Sequence, residues 1–197
     1  MRDLIVATRN GKKLLELKRY LRPLGIKVVS LKDIKGAPHI VEDGSTFKAN
    51  AVKKALAISR FTGGLVLADD SGLVVDALGG RPGVRSSRFS GEGATDRENN
   101  AKLLRLLEGI RACKRGGAFV CAVAIADKGR IVATIEERCG GRIAFDTRGR
   151  CGFGYDPLFL IPKYGKTFGE LGAGAKDRMS HRSKALKKAR EFLRRYV

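Results

Sequence analysis

The chain has no tryptophan, only two histidines (His39 and His181), and four cysteines (Cys113, Cys121, Cys139 and Cys151) in 197 residues. Those cysteines stand 8, 18 and 12 positions apart. There is no CxxC pair and no histidine near enough to complete a ligand set, which argues against a structural zinc site and against a disulfide framework. Reduced, partly buried thiols are expected. No apolar run approaches the ~20 residues that cross a bilayer. The opening MRDLIVATRN is too short in apolar residues for a secretory signal and carries Asp3, so it reads as a first strand and the protein is expected in the cytoplasm, away from membranes. Proline/serine-rich linkers, breaks in composition and internal repeats are also missing, so residues 1–197 read as one domain, in two lobes at most.

Acid is scarce beside base. Twenty Asp and Glu face 40 Lys and Arg, for a formal charge of +20. Such a balance suits either a nucleic-acid binder or an enzyme for small polyanions. Nucleic-acid binding predicts basic residues clustered on one element with aromatics between them. Here they are spread along the chain, with one dense tract, KALKKAREFLRR, whose Ala185, Leu186, Ala189, Phe192, Leu193 and Tyr196 recur at helical spacing. That tract reads as an amphipathic terminal helix with a solvated basic face, and the small-polyanion enzyme is the favoured class, with no nucleic-acid partner expected.

What is present has a legible order. DLIVAT is a strand, and Asn10-Gly11 caps a helix, KKLLELKRYLRPL, that stops at Pro23 and Gly25. IKVVSL is a second strand. A polar loop with Glu42, Asp43 and Gly44 leads to a helix on which Phe47, Ala51, Ala55 and Ile58 share a face. GLVLAD is a continuous apolar third strand ending at the acid pair Asp69-Asp70. After the loop RPGVRSSRFSGEG, Thr95 and Glu98 form a capping box that opens a helix through Leu107. AFVCAVAIAD and RIVATIEERCG flank Lys128-Gly129 as a hairpin, and GRIAF, a glycine-rich loop and a polar loop precede a last helix from about Ser180. Strands that first alternate with helices and later pair as a hairpin predict an α/β fold with a mixed central sheet flanked by helices.

Four segments carry chemistry. In TRNGKK, Thr8 and Asn10 offer hydrogen bonds, Gly11 permits close approach and Lys13 stands at a helix start, a combination that suits phosphate. In EDGSTFKANAVKKA, Glu42 precedes a helix on which Asn50 and Lys54 share one face. In LADDSG, Asp69 and Asp70 point to opposite sides of an extended backbone, so they need not do one job. Two like charges about 4 Å apart repel by ~4 kcal/mol at an effective dielectric of ~20, so acids gathered near Glu42 call for a compensating cation. Oxygen ligands with few histidines favour Mg²⁺ or Mn²⁺ over zinc. In GFGYDP and AKDRMSHRSKA, Phe153 and Tyr155 offer rings for stacking on a base, while Lys176, His181 and Arg182 supply donors.

Taken together and in this order, TRNGKK (8–13), EDGSTFKANAVKKA (42–55), LADDSGLVVDALGGRPGVRSSRFSG (67–91), GFGYDPLF (152–159), GKTFGEL (165–171) and KDRMSHRSKAL (176–186) resemble the inosine triphosphate pyrophosphatase family. The resemblance spans nearly the whole chain. It implies a mixed α/β fold of two lobes around a substrate cleft, a homodimer, and Mg²⁺-dependent hydrolysis of ITP, dITP and XTP to nucleoside monophosphate and pyrophosphate. By the same resemblance, Thr8, Arg9, Asn10, Gly11, Lys12 and Lys13 hold the phosphate tail, and the chemistry of a triphosphate adds Lys54 and Lys176 as cations for its oxygens. Glu42 and Asp70 serve the metal, with Asp69 as a supporting acid, and Asp70 accepts the proton of the attacking water. Ser71, Phe153, Gly154, Tyr155, Asp156, Lys176, His181 and Arg182 bind substrate, with Phe153 or Tyr155 against the base. A related enzyme acting on other modified nucleotides would share the same phosphate grip.

Overall fold

The computed structural model describes residues 3–197. Seven strands form one mixed sheet in the order β2-β1-β3-β4-β5-β6-β7. They are β1 (Leu4–Val6), β2 (Val28–Ser30), β3 (Leu65–Val75), β4 (Gly116–Asp127), β5 (Arg130–Ile143), β6 (Phe159–Ile161) and β7 (Lys166–Thr167). β1 runs parallel to both β2 and β3, whereas β6 is antiparallel to β5 and to β7. Among the described residues five α-helices pack with the sheet: α1 (Gly11–Leu21), α2 (Phe47–Thr62), α3 (Asp96–Leu106), α4 (Phe168–Met179) and α5 (His181–Tyr196).

The described chain divides into two compact units, one of residues 3–70, 121–137 and 184–197, the other of residues 71–120 and 138–183. In the first, Leu4, Val6, Leu65, Leu67, Cys121, Val123 and Ile125 alternate along their strands and so present one face of the sheet. Leu17 and Leu21 of α1 and Leu186, Ala189 and Leu193 of α5 cover that face. Parallel strands buried this way explain the continuous apolar run of GLVLA. The second unit has its own core, in which Leu103 and Leu107 meet Phe119, Phe159 and Phe168. Rings of Phe119 and Phe159 lie 4.5 Å apart at 49°, a tilted arrangement worth about 0.5–1.5 kcal/mol beyond area burial.

Two local outcomes differ from the sequence reading, in β3 and in the segment before the last helix. β3 does not end at the acid pair: it runs from Leu65 to Val75, so Asp69 and Asp70 lie in mid-strand. The segment before the last helix is not a polar loop but α4, started by a Thr167–Glu170 capping box and broken at Gly172, whose φ of 72° departs from the helix. Glycines at 169, 172 and 174 had masked its helical spacing. Gly11 has ordinary helical placement and open space where a Cβ would stand, so nothing in the backbone demands glycine there. The hairpin expected at Lys128-Gly129 is present, with φ of 50° and 74° at the two turn residues, the pattern of a type I′ turn.

Candidate functional site

In the first unit, chain order brings three elements to the acid pair. Asn10 caps α1, its side-chain Oδ1 accepting from Lys13 N at 3.1 Å, while Thr8 Oγ1 accepts from Asn10 N at 3.2 Å. This cap directs Lys13 inward, where its Nζ lies 3.1 Å from Asp69 Oδ2. Arg9 is exposed and donates to Ala37 O at 3.4 Å, and Lys12 is exposed.

Helix α2 supplies the other side. Asn50 and Lys54, one turn apart, are both buried against β3. Asn50 Nδ2 donates to Asp70 Oδ2 at 3.0 Å, and its Oδ1 accepts from Gly44 N at 2.7 Å, pinning the loop that carries Glu42. Lys54 Nζ donates to the backbone carbonyl of Asp69 at 2.7 Å and lies 3.1 Å from Glu42 Oε1. The neighbouring aspartates thus have different surroundings, as the strand's two-residue period requires. Asp69 faces Lys13. Asp70 faces Asn50, within the fields of Lys54, Lys13 and Glu42.

Only 6 % of Asp70 is exposed. Burial pushes its carboxyl above the ordinary value and Glu42 adds to that push, whereas Lys54, Lys13 and the Asn50 amide pull it back without cancelling the rise. Hard carboxylate oxygens on Glu42 and Asp70, with an ammonium already drawn to Glu42, are the donor chemistry that Mg²⁺ accepts, since it takes one or two carboxylates and completes its shell with water and phosphate oxygens. Among the described residues no three His, Cys, Asp or Glu side chains converge as a ligand set. Asp69, turned to Lys13, stands outside the pair.

The second unit gathers the remaining predicted residues. Arg182 Nη2 donates to Ser71 Oγ at 2.6 Å, and the Arg182 guanidinium lies 5.5 Å from the centre of the Phe153 ring. Lys176 Nζ lies 4.4 Å from that ring centre and 2.6 Å from Asp156 Oδ2. His181 is buried and stacks on Phe119 at 4.7 Å and 13°. The two aromatic candidates separate clearly. Tyr155 is a core residue, its hydroxyl donating to Ser86 O at 2.8 Å, and burial pushes its phenol upward, with Asp96 adding to the shift. Phe153 is half-buried and carries the cations.

The loop bearing Phe153 is held on every side. Asp156 Oδ2 accepts from Phe153 N at 2.9 Å. Gly154 is gripped at both ends by α3: its N–H donates to Asp96 Oδ2 at 2.8 Å and its carbonyl accepts from Asn100 Nδ2 at 3.0 Å. At the start of α4, Gly169 donates to Asp156 O at 2.9 Å and accepts from Cys151 N at 3.0 Å. A Cβ on Gly149 would stand 2.1 Å from the Gly169 carbonyl carbon. Asp96, Asn100 and Phe119 escaped the sequence reading because their partners are distant in sequence. Asn50 was visible there as the companion of Lys54.

A mixed-sheet α/β protein with a buried acid pair on one strand, met by lysines and an amide from two helices, and a cation-bearing aromatic loop is the class defined by fold and side chains. Within that class the chain belongs to the Ham1 family, whose model matches residues 4–192. It is 52 % identical over 192 residues to a dITP/XTP pyrophosphatase of Desulforamulus reducens, covering 98 % of this chain and 96 % of that one. Among solved structures, a HAM1 protein from Coxiella burnetii superposes with a TM-score of 0.89 at 39 % identity, covering 98 % of each chain. The nucleoside-triphosphatase / dITP/XTP pyrophosphatase from Mycobacterium abscessus superposes with a TM-score of 0.81 at 42 % identity, covering 95 % of this chain and 98 % of that one.

Proposed function

We propose that the protein is a Mg²⁺-dependent nucleoside triphosphate pyrophosphatase that hydrolyses ITP, dITP and XTP to the nucleoside monophosphate and pyrophosphate, clearing non-standard purines from the nucleotide pool. The observation that carries this reading is the division of labour at Asp69 and Asp70. One acid pairs with Lys13; the other is buried against Asn50, within the fields of Glu42 and Lys54. The names of the relatives support the substrate class. A cytoplasmic homodimer is the form the family resemblance implies.

In this reading Lys13 and the amide end of α1 receive the phosphate tail, where helix dipole and ammonium both favour anions. Glu42 and Asp70 would hold Mg²⁺, which supplies neutralisation of phosphate charge when bound. A water oxygen would bond to the α-phosphorus, its proton pass to the Asp70 carboxylate, the bond from that phosphorus to the bridging oxygen break, and pyrophosphate leave. A raised carboxyl pKa makes Asp70 a stronger base than an ordinary aspartate, the direction this task needs. Asn50 fixes the orientation of that carboxylate. Phe153 would stack on the base, with Arg182 and His181 near its polar edge. A donor facing the 6-oxo group meets another donor when adenine is offered, a buried mismatch of about 1–3 kcal/mol that disfavours ATP.

Pyrophosphate release from ITP, dITP, XTP, GTP, ATP and dUTP, measured with Mg²⁺ and with EDTA, tests the proposal. Release from the three non-standard purines, abolished by EDTA, is expected. No release from any of them, or ATP cleaved as fast as ITP, would overturn it.

A further inference from the structure

The charge of +20 exceeds what a phosphate-binding site uses, and the fold concentrates it. Segments 11–27 and 181–197 hold 13 of the 40 Lys and Arg but only 2 of the 20 Asp and Glu. They lie at opposite ends of the sequence, yet the apolar stripes of α1 and α5 cover the same face of the same sheet. Both helices therefore turn their outer sides to solvent on that side of the sheet. On α1 and just beyond it, Lys18, Arg19 and Arg22 are exposed; on α5, Lys187, Arg194 and Arg195 are. Positions 184, 187, 191 and 194 repeat at helical spacing, so all but one of that row is basic, Glu191 being the exception. Acids also meet these cations: Asp3 lies 3.2 Å from Lys27, Glu191 on α5 lies 3.8 Å from both Arg190 and Arg194, and Glu137 on β5 pairs with Lys188.

We propose that the outer face of α1 and α5 is a docking surface for a nucleic-acid backbone, bound by charge and without sequence preference. Two observations favour this partner over an anionic membrane. An interfacial helix needs a free apolar side to insert, and that of α5 is spent in the core, where Leu186, Ala189 and Leu193 are fully buried. The patch also ends in an aromatic: Tyr196 is 38 % exposed, its ring stacked on Phe192 at 5.3 Å and its hydroxyl donating to Asp127 Oδ2 at 3.1 Å. An aromatic fixed at the end of a basic row is what stacking on an unpaired base requires. From Lys184 to Arg195 the helix rises about 16 Å, matching about five phosphates along one strand of a duplex.

The experiment is fluorescence anisotropy with a labelled 24-nucleotide DNA, single-stranded and duplex, at 50 to 200 mM NaCl. The native protein is compared with a Lys18→Gln, Lys187→Gln, Arg194→Gln, Arg195→Gln variant whose fold is checked by circular dichroism and melting temperature. Expected are micromolar binding at 100 mM salt for the native protein, at least tenfold weaker binding for the variant, and a slope of log K against log salt shallower by about 3. Pyrophosphate release should be the same in both. Absence of binding at 100 mM salt, or equal binding by the folded variant, overturns the proposal. Co-sedimentation with phosphatidylglycerol vesicles in the absence of DNA binding overturns it in favour of a lipid surface.

Discussion

Asn50 Nδ2 donates to Asp70 Oδ2 at 3.0 Å, and this bond joins the second helix to the middle of the third strand at the acid that has the proposed catalytic role. It orients a carboxylate that is 6 % exposed. Asn50 also ties down Gly44 at 2.7 Å, so one amide arranges both the strand acid and the loop that carries Glu42.

Asp70→Asn should lower pyrophosphate release at least a hundredfold, about the loss expected when general-base help is removed. Its effect on stability has the opposite sign. An acid whose pKa is raised by folding binds its proton more tightly in the folded state, so its charged form costs stability above the folded-state pKa, and that cost vanishes below the ordinary carboxylate range near 4. In EDTA at pH 7 the variant should therefore melt higher than the native protein, and the gap should close as pH falls towards 4. A lower melting temperature at pH 7 would refute this assignment.

Asp69→Asn should do the reverse. Its side chain is fully buried against Lys13 Nζ, itself 15 % exposed. Removing the charge leaves the ammonium beside a neutral amide, a loss of about 1–3 kcal/mol and a fall of several degrees in melting temperature. Thermal melts of the two variants side by side decide whether adjacent acids have opposite effects on stability.

Phe153→Ala and Tyr155→Phe separate the two rings. Loss of a stacking ring should raise KM for ITP by roughly 5- to 100-fold, from about 1–3 kcal/mol per stacked base. Competitive inhibition by pyrophosphate, which has no base, should be unchanged. Tyr155→Phe removes the bond to Ser86 O and should cost about 1 kcal/mol of stability with KM intact. A KM rise in Tyr155→Phe with none in Phe153→Ala would overturn the assignment of the base to Phe153.

Asn100→Ala frees the carbonyl of Gly154 while leaving the Asp96 bond in place. The Phe153 loop should then hold the base less well, raising KM for ITP severalfold with kcat and pyrophosphate inhibition little changed. Equal losses in kcat and in pyrophosphate inhibition would show a wider disturbance than loop positioning.

Two glycines should behave oppositely. Gly149→Ala places a Cβ 2.1 Å from Gly169 backbone at a φ of 79°, and should fold poorly or not at all. Gly11→Ala meets nothing within 4 Å at the start of α1 and should stabilise the protein by up to about 1 kcal/mol. Urea titration measures both. If Gly11→Ala is stable yet weak in pyrophosphate inhibition, the glycine serves the phosphate and not the helix.

Sequence alone determined what local chemistry controls. Caps at Asn10 and Thr95, the hairpin at Lys128-Gly129 and the opposite directions of Asp69 and Asp70 all follow from spacing over a few residues, because capping, turns and strand alternation are short-range effects. The six family segments, and the residue types for phosphate and metal, were visible for the same reason. Tertiary structure decided the rest. It carried the third strand through the acid pair, turned Asp69 to Lys13 and Asp70 to Asn50, and put Tyr155 in the core while Phe153 took the cations. It brought Asp96 and Asn100 to Gly154, and set two basic helices from opposite ends of the chain on one sheet face. Those outcomes depend on which apolar faces share a core and which buried donors find acceptors, pairings fixed by packing between residues far apart in sequence.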